Sequence, residues 1–281
     1  MINRISAWPK ALLHTFLIVG ALLMLYPLLW MLSSSFKPDS QIFGHLGVIP
    51  SHPILSNYTA GWSGLGTPFT GFFLNSLIVC VLAVLGNLTS CSLAAFAFAR
   101  LRFPLQRILF GFMLVTIMLP FHVTIVPQYV LFKQLGWIGT LLPLVVPKFL
   151  AVDAFFVFLL MQFIRSIPVE LDDAAKIDGC GPFRLFVQVM VPLMVPALAT
   201  TAIFTFLWTW NDFFSQLLYL GSRTQTFTVP VALRAFIDST SQSSWGQLLA
   251  MSVLSLIPII GFFVAFQRLL LEGISTTGLR G

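Results

Sequence analysis

Runs of about twenty residues with almost no charge recur along this 281-residue chain, and they dictate most of what it can fold into. They fall at approximately 11–32, 73–98, 107–131, 141–164, 195–220 and 247–270. A backbone inside a bilayer must satisfy its own hydrogen bonds, and stretches of this length do so as helices. Composition agrees: 58% of the residues are hydrophobic, 9% are charged and 29 are phenylalanine, which excludes an ordinary soluble domain. The expectation is an all-α polytopic membrane protein, one transmembrane domain over 1–281 with six helices. The first run follows Arg4 and Lys10 as a signal peptide would, but it is too long and lacks a cleavage site, so it reads as a retained helix. Prolines at 27, 120, 127, 143, 147 and 258 predict kinks or breaks.

The pI near 9.6 does not indicate nucleic acid, because the basic residues stand singly between apolar runs, where lipid headgroups and topology account for them. With the N-terminus inside, Arg4, Lys10, Arg100, Arg102, Arg107, Arg165, Lys176, Arg184, Arg268 and Arg280 are cytoplasmic, ten of the fifteen basic residues. Both termini and the loop 165–192 then face the cytoplasm, and 33–70 and 221–246 form outer loops. Cys80, Cys91 and Cys180 have no metal-ligand spacing, and Cys80 and Cys91 read as small packing residues. No Ser/His/Asp or Cys/His arrangement suggests an intramembrane enzyme. No phosphate loop is present either: none of the five lysines is followed by Ser or Thr.

The polar stretch 168–192 is the exception to all this grease. Pro168 can open a helix whose first turn holds Glu170, Asp172 and Asp173, where the helix dipole favours negative charge. Leu171, Ala174 and Ala175 follow at helical spacing, and Gly179 is placed to stop the helix in the left-handed conformation. Gly181-Pro182 restarts it, with Phe183, Phe186, Val187 and Met190 recurring at i, i+3, i+4 and i+7 and Arg184 and Gln188 on the opposite face. Two short helices meeting at a glycine elbow between membrane segments read as a docking device.

Asp173-Ala174-Ala175, three residues, Gly179, nine residues and Val189-Met190-Val191-Pro192 resemble the EAA loop of ABC importer permeases, with Asp in place of the usual Glu. Asn75 to Arg100, Met118-Leu119-Pro120, Ile125-Val126-Pro127, Phe132 to Gly136 and Trp210-Asn211-Asp212-Phe213 are similar to segments of the carbohydrate-type members. The tail, Gln267-Arg268-Leu269 and Glu272 to Gly281, resembles that of the maltose permease branch. The resemblance implies a type I importer permease of six helices in a bacterial or archaeal cell membrane. It implies a second related permease, two nucleotide-binding ATPase subunits that carry ATP and Mg, and an extracytoplasmic solute-binding protein. This chain itself then needs no cofactor or metal and is a transport subunit rather than an enzyme. Asp173, Ala174, Ala175, Asp178 and Gly179, supported by Phe183, Phe186 and Met190, become the expected coupling residues.

Polar groups inside the runs mark a candidate solute pathway at Asp153, Trp210, Asn211 and Asp212. Asp153 stands about 18 Å of helix before Arg165, toward mid-membrane, where an unpartnered carboxylate costs roughly 3 kcal/mol or more. It admits two readings, a cavity acceptor for hydroxyl groups or a local partner of Lys148. Trp208 and Trp210, with Phe213 and Phe214, read either as sugar-stacking faces or as packing and interfacial belt. A different class of function, an ion-driven secondary carrier, would use Asp153 and Asp212 as relay groups.

Overall fold

The structure is a computed structural model that describes residues 7–44, 47, 49–238 and 244–278, with side chains between 12 and 267 of these. Two compact units divide the chain, Met1–Phe69 with Leu233–Ile257, and Thr70–Ala232 with Pro258–Gly281. Regular structure among the described residues is helical throughout.

In the first unit, helix α1 (Ala7–Ser34) is apolar on every side, and none of the side chains in its most hydrophobic window is buried. A helix hydrophobic all round needs lipid or another chain around it. A short helix, α2 (Ser56–Ser63), is tied back by Asn57, whose amide donates to the carbonyls of Ser35 and Lys37, both at 2.9 Å. Asp39 accepts from the Gly246 amide at 2.7 Å, and Phe43 meets the Trp245 ring edge-on at 5.3 Å.

The second unit is built on α3 (Phe69–Arg100), a 32-residue helix. The third apolar run is not one helix: α4 (Gln106–Met118) and α5 (Phe121–Gln134) meet at 106°, with Pro120 at the break. The fourth run is also interrupted. A helical turn at Leu142–Val145 tightens into a 3₁₀ turn at Val146–Leu150, Ala151 takes a left-handed conformation, and α6 (Ala154–Ser166) follows. The loop contributes α7 (Glu170–Ile177) and α8 (Pro182–Leu193); α8 bends by 78° into α9 (Val195–Asn211). The fifth run, expected to continue to 220, instead breaks at Asp212, whose extended backbone separates α9 from α10 (Phe214–Leu220). Two further helices, α11 (Val229–Asp238) and α12 (Trp245–Gly278), complete the order, with Pro258 inside α12.

Among the described residues four spans are long and apolar enough to cross a membrane, Leu12–Ser34, Phe69–Arg100, Leu142–Ser166 with its interruption, and Trp245–Gln267, and the count reaches six if each of two bent pairs is one span. The core that matters for the loop gathers Phe96, Phe156, Leu160, Met161, Ile164, Ala175, Leu185, Phe186, Met190 and Met194. Of the tail, Leu279 to Gly281 lie outside the described residues, as do the side chains from Arg268 onward.

Candidate functional site

The elbow forms for the reasons its residues give. Helix α7 ends in a Schellman motif: the Gly179 amide donates to the Lys176 carbonyl at 3.0 Å and the Cys180 amide to the Ala175 carbonyl at 2.9 Å. That closure needs a left-handed residue, and Gly179 supplies it at φ +79°. Pro182 then opens α8, whose residues Phe186–Met190 wind as a π turn. The wider turn rotates the helix face, so Leu185, Phe186 and Met190 point into the core while Phe183, expected on the same stripe, is 74% exposed. Phe186 rests on Phe96 of α3 with ring centroids 5.3 Å apart.

On α7 the inward face is not the expected strip of Leu171, Ala174 and Ala175. Asp172 and Ala175 are buried, and Leu171 and Ala174 are exposed. Asp173 and Asp178 face solvent, Asp173 in an exposed pair with Lys176 at 2.9 Å. Outward from the elbow stand Ile177, 87% exposed, and Phe183. A buried carboxylate requires a counter-charge, and Asp172 finds it in Arg100, the last residue of α3: Nε lies 2.8 Å from Oδ2, with both side chains under a tenth exposed. The same guanidinium donates from Nη2 to the Ile167 carbonyl at 2.7 Å, where α6 ends. Burial pushes the Asp172 carboxyl above its ordinary value, and the Arg100 charge opposes the rise.

A second polar centre lies at the interrupted fourth run. Lys148 Nζ is 2.7 Å from Asp153 Oδ2, so the structure contains the local pairing. Asn87 of α3 donates to the same oxygen at 2.7 Å and lies 3.1 Å from the Thr205 hydroxyl. Close approach makes this possible. A Cβ on Gly86 would sit 2.9 Å from the Lys148 backbone, and the Ser90 hydroxyl donates to the Lys148 carbonyl at 2.7 Å. Lys148 also borders an open cavity of about 490 Å³ together with Phe121, Trp208, Asn211, Asp212 and Gln216.

Of the expected pathway residues, Asn211 and Asp212 line this cavity. Asp212 accepts from the Ser215 amide at 3.1 Å, fixing the break between α9 and α10. Trp210 is only 2% exposed and stacks on Phe206, so the ring facing the cavity is Trp208, 52% exposed. Sequence reasoning used Arg100 for topology and as the end of the resembling segment from Asn75, gave it no partner in the loop, and passed over Asn87 as a separate candidate. The available signal was Asp172, which shares a face with Ala175 three residues on and so had to turn a charge inward.

Residues 86–275 match the family model described as binding-protein-dependent transport system inner membrane component. The chain is 31% identical to the diacetylchitobiose uptake system permease protein NgcG of Streptomyces coelicolor, over 94% of this chain and 87% of that protein. It is 32% identical to the sn-glycerol-3-phosphate transport system permease protein UgpE of Yersinia pestis, over 93% and 94%. A crystal structure of a bacterial ABC transporter involved in the import of alginate contains a chain of the same fold, with TM-score 0.81, 22% identity and 95% and 98% coverage.

Proposed function

The chain belongs to the binding-protein-dependent transport system inner membrane components, and on that premise we infer how this permease works and what it carries. The inferred cargo is a carbohydrate or related polyhydroxy solute, the class that joins the two named relatives. The cavity suits such a solute: Trp208 offers an apolar ring face, and Asn211, Asp212, Ser215 and Gln216 offer donors and acceptors. Its one cation, Lys148, is already neutralised by Asp153, and Asp212 adds a negative charge, so a neutral solute fits better than a polyanion.

Energy comes from elsewhere. In this reading two ATPase subunits hold ATP and Mg and grip the elbow from the cytoplasm, while a second permease completes the pathway and an extracytoplasmic binding protein delivers the solute. The basic residues support that orientation, with both termini inside. Closure of the ATPase pair displaces α7 and α8, and the attached spans swing between inward-open and outward-open states. One observation carries the docking: Ile177 and Phe183, large apolar side chains of a polar loop, stand 87% and 74% exposed. The ion-carrier alternative has less room, because Asp153 is held by Lys148 and Asn87 and Asp212 by the Ser215 amide.

Purification of the tagged chain from its native membrane recovers a nucleotide-binding subunit. Phe183→Glu cuts that recovery by roughly tenfold, equivalent to about 1.4 kcal/mol of lost contact. Recovery of the chain with no such subunit overturns the reading.

A further inference from the structure

Arg100 ends the longest helix of the second unit and touches two other elements at once. Its guanidinium reaches the Asp172 carboxylate of α7 at 2.8 Å and the Ile167 carbonyl behind α6 at 2.7 Å. We propose that Arg100 is a positioning residue for energy coupling, the clamp that makes α7 and the Arg100 end of α3 move as one body. The proposal rests on the docking of the elbow to an ATPase subunit.

The geometry is specific to arginine. Its charge is spread over a wide planar group, so one side chain can set Nε beside the carboxylate as an ion pair while Nη2 donates to the carbonyl; a lysine ammonium is a single point charge on a flexible stem and cannot span both. The clamp is also placed where it is needed. Phe186 on Phe96 already joins α8 to α3 through apolar contact, and without Arg100 no comparable tie from the described residues holds α7, whose remaining inward residue is the small Ala175. A loop helix that rolled on Ala175 alone would absorb a push from below instead of passing it on.

Stability does not explain the pair. Asp172 Oδ1 has no hydrogen-bond partner among the described residues, and Nε faces Oδ2 without a directed hydrogen bond. A buried pair this incompletely satisfied contributes little net stability, and neutral replacement of both members of such pairs is often harmless to folding. What the pair does supply is a fixed orientation between helices whose chemistry comes from residues 72 positions apart (172 − 100).

The test uses the assembled transporter in lipid nanodiscs, with spin labels at the exposed positions Glu170 on α7 and Leu93 on α3. In the native pair, the label distance is single and unchanged between nucleotide-free and Mg-ATP–vanadate-trapped complexes. In Arg100→Gln/Asp172→Asn, which leaves no buried charge uncompensated, the ATPase subunits remain bound, but the distribution broadens and shifts on trapping by about 1–2 Å or more, the scale of a helix sliding on its neighbour. Arg100→Lys, which keeps the charge balance, gives the same broadening to a smaller extent and covers the case in which the neutral pair fails to assemble. A neutral or lysine variant that keeps its ATPase subunits and the native distance pattern overturns the clamp alone. Native transporter that holds no ATPase subunit overturns the docking reading and the clamp with it.

Discussion

Lys148–Asp153 and Arg100–Asp172 are both single cation–carboxylate pairs, at 2.7 and 2.8 Å, yet their surroundings differ in kind. The first sits at a broken helix beside a cavity, each side chain about a quarter exposed, and its carboxylate has a second donor in Asn87. The second is closed over at a helix end, with side chains 7% and 4% exposed and the carboxylate's other oxygen unpartnered. In the first pair Lys148 lines the cavity, and Asp153 keeps a second donor in Asn87 if the ammonium moves away. The closed pair has no such reserve among the described residues, and serves only while both members stay. The contrast separates a place where one partner can leave from a place where both hold position.

Removing one member of each pair gives the largest difference. Arg100→Gln leaves Asp172 as an uncompensated buried charge and is expected to destabilise the chain by about 3–5 kcal/mol. Lys148→Gln leaves Asp153 with the Asn87 hydrogen bond and access to water, and should cost about 1–3 kcal/mol at most. Denaturant unfolding in detergent micelles measures both. Equal losses would mean that the cavity pair is as enclosed as the loop pair once the chain is in its membrane, and the distinction would fail.

The two sites were not equally legible in the sequence. Lys148 and Asp153 are five residues apart, and mid-membrane carboxylates need partners, so their pairing was one of two readings available from spacing alone. The elbow was legible because its signals are local: Pro168, an acidic first turn, Gly179, Pro182. Arg100 with Asp172 was not, since nothing in a linear pattern joins positions so far apart. Its arginine belongs to a cluster with Arg102 and Arg107 that topology alone explains. Hydropathy also ran on through Asn211 and Asp212, hiding the break between α9 and α10 that turns them toward the cavity. Trp208 and Trp210 lie on opposite sides of α9 by helical geometry, but which side faces inward is decided by tertiary contacts, Phe73 of α3 on Trp210 and Phe262 of α12 on Phe206. The stripe at Phe183, Phe186, Val187 and Met190 assumed 3.6 residues per turn; in the structure, with its π turn at Phe186–Met190, Phe186 and Met190 are buried while Phe183 and Val187 are exposed.

If the loop side holds position, its elbow must be conformationally fixed as well as charged. Gly179→Ala forces a Cβ into φ +79° and is expected to cost about 1–2 kcal/mol through strain alone, because no atom lies within 4 Å of the new methyl. Gly181→Ala is the control: its φ of −71° suits any residue, its Cβ also meets nothing, and the change should stay within roughly 0.5 kcal/mol. The same unfolding measurement, with ATPase-subunit recovery alongside, reads both variants. A Gly179→Ala chain as stable as Gly181→Ala would show that the elbow opens freely and that the rigidity assigned to the loop rests on Arg100 alone.

The smallest effect concerns the sign of the closed pair's contribution. Burial raises the Asp172 carboxyl above its ordinary 3.8 despite the neighbouring Arg100. A native value above the unfolded one means that the folded chain binds the proton more tightly, so this group's stabilisation is complete below 3.8 and is lost as pH rises through the raised native value. The variant Arg100→Gln/Asp172→Asn has no such group. The stability of the native chain relative to that variant should therefore fall as the pH is taken from below 3.8 to neutrality, which paired unfolding curves at each pH will show. A rising difference would mean that Arg100 more than offsets the loss of hydration, making the pair a stabilising bridge. The closed pair would then differ from the cavity pair in strength rather than in purpose, and its retention would need no appeal to helix alignment.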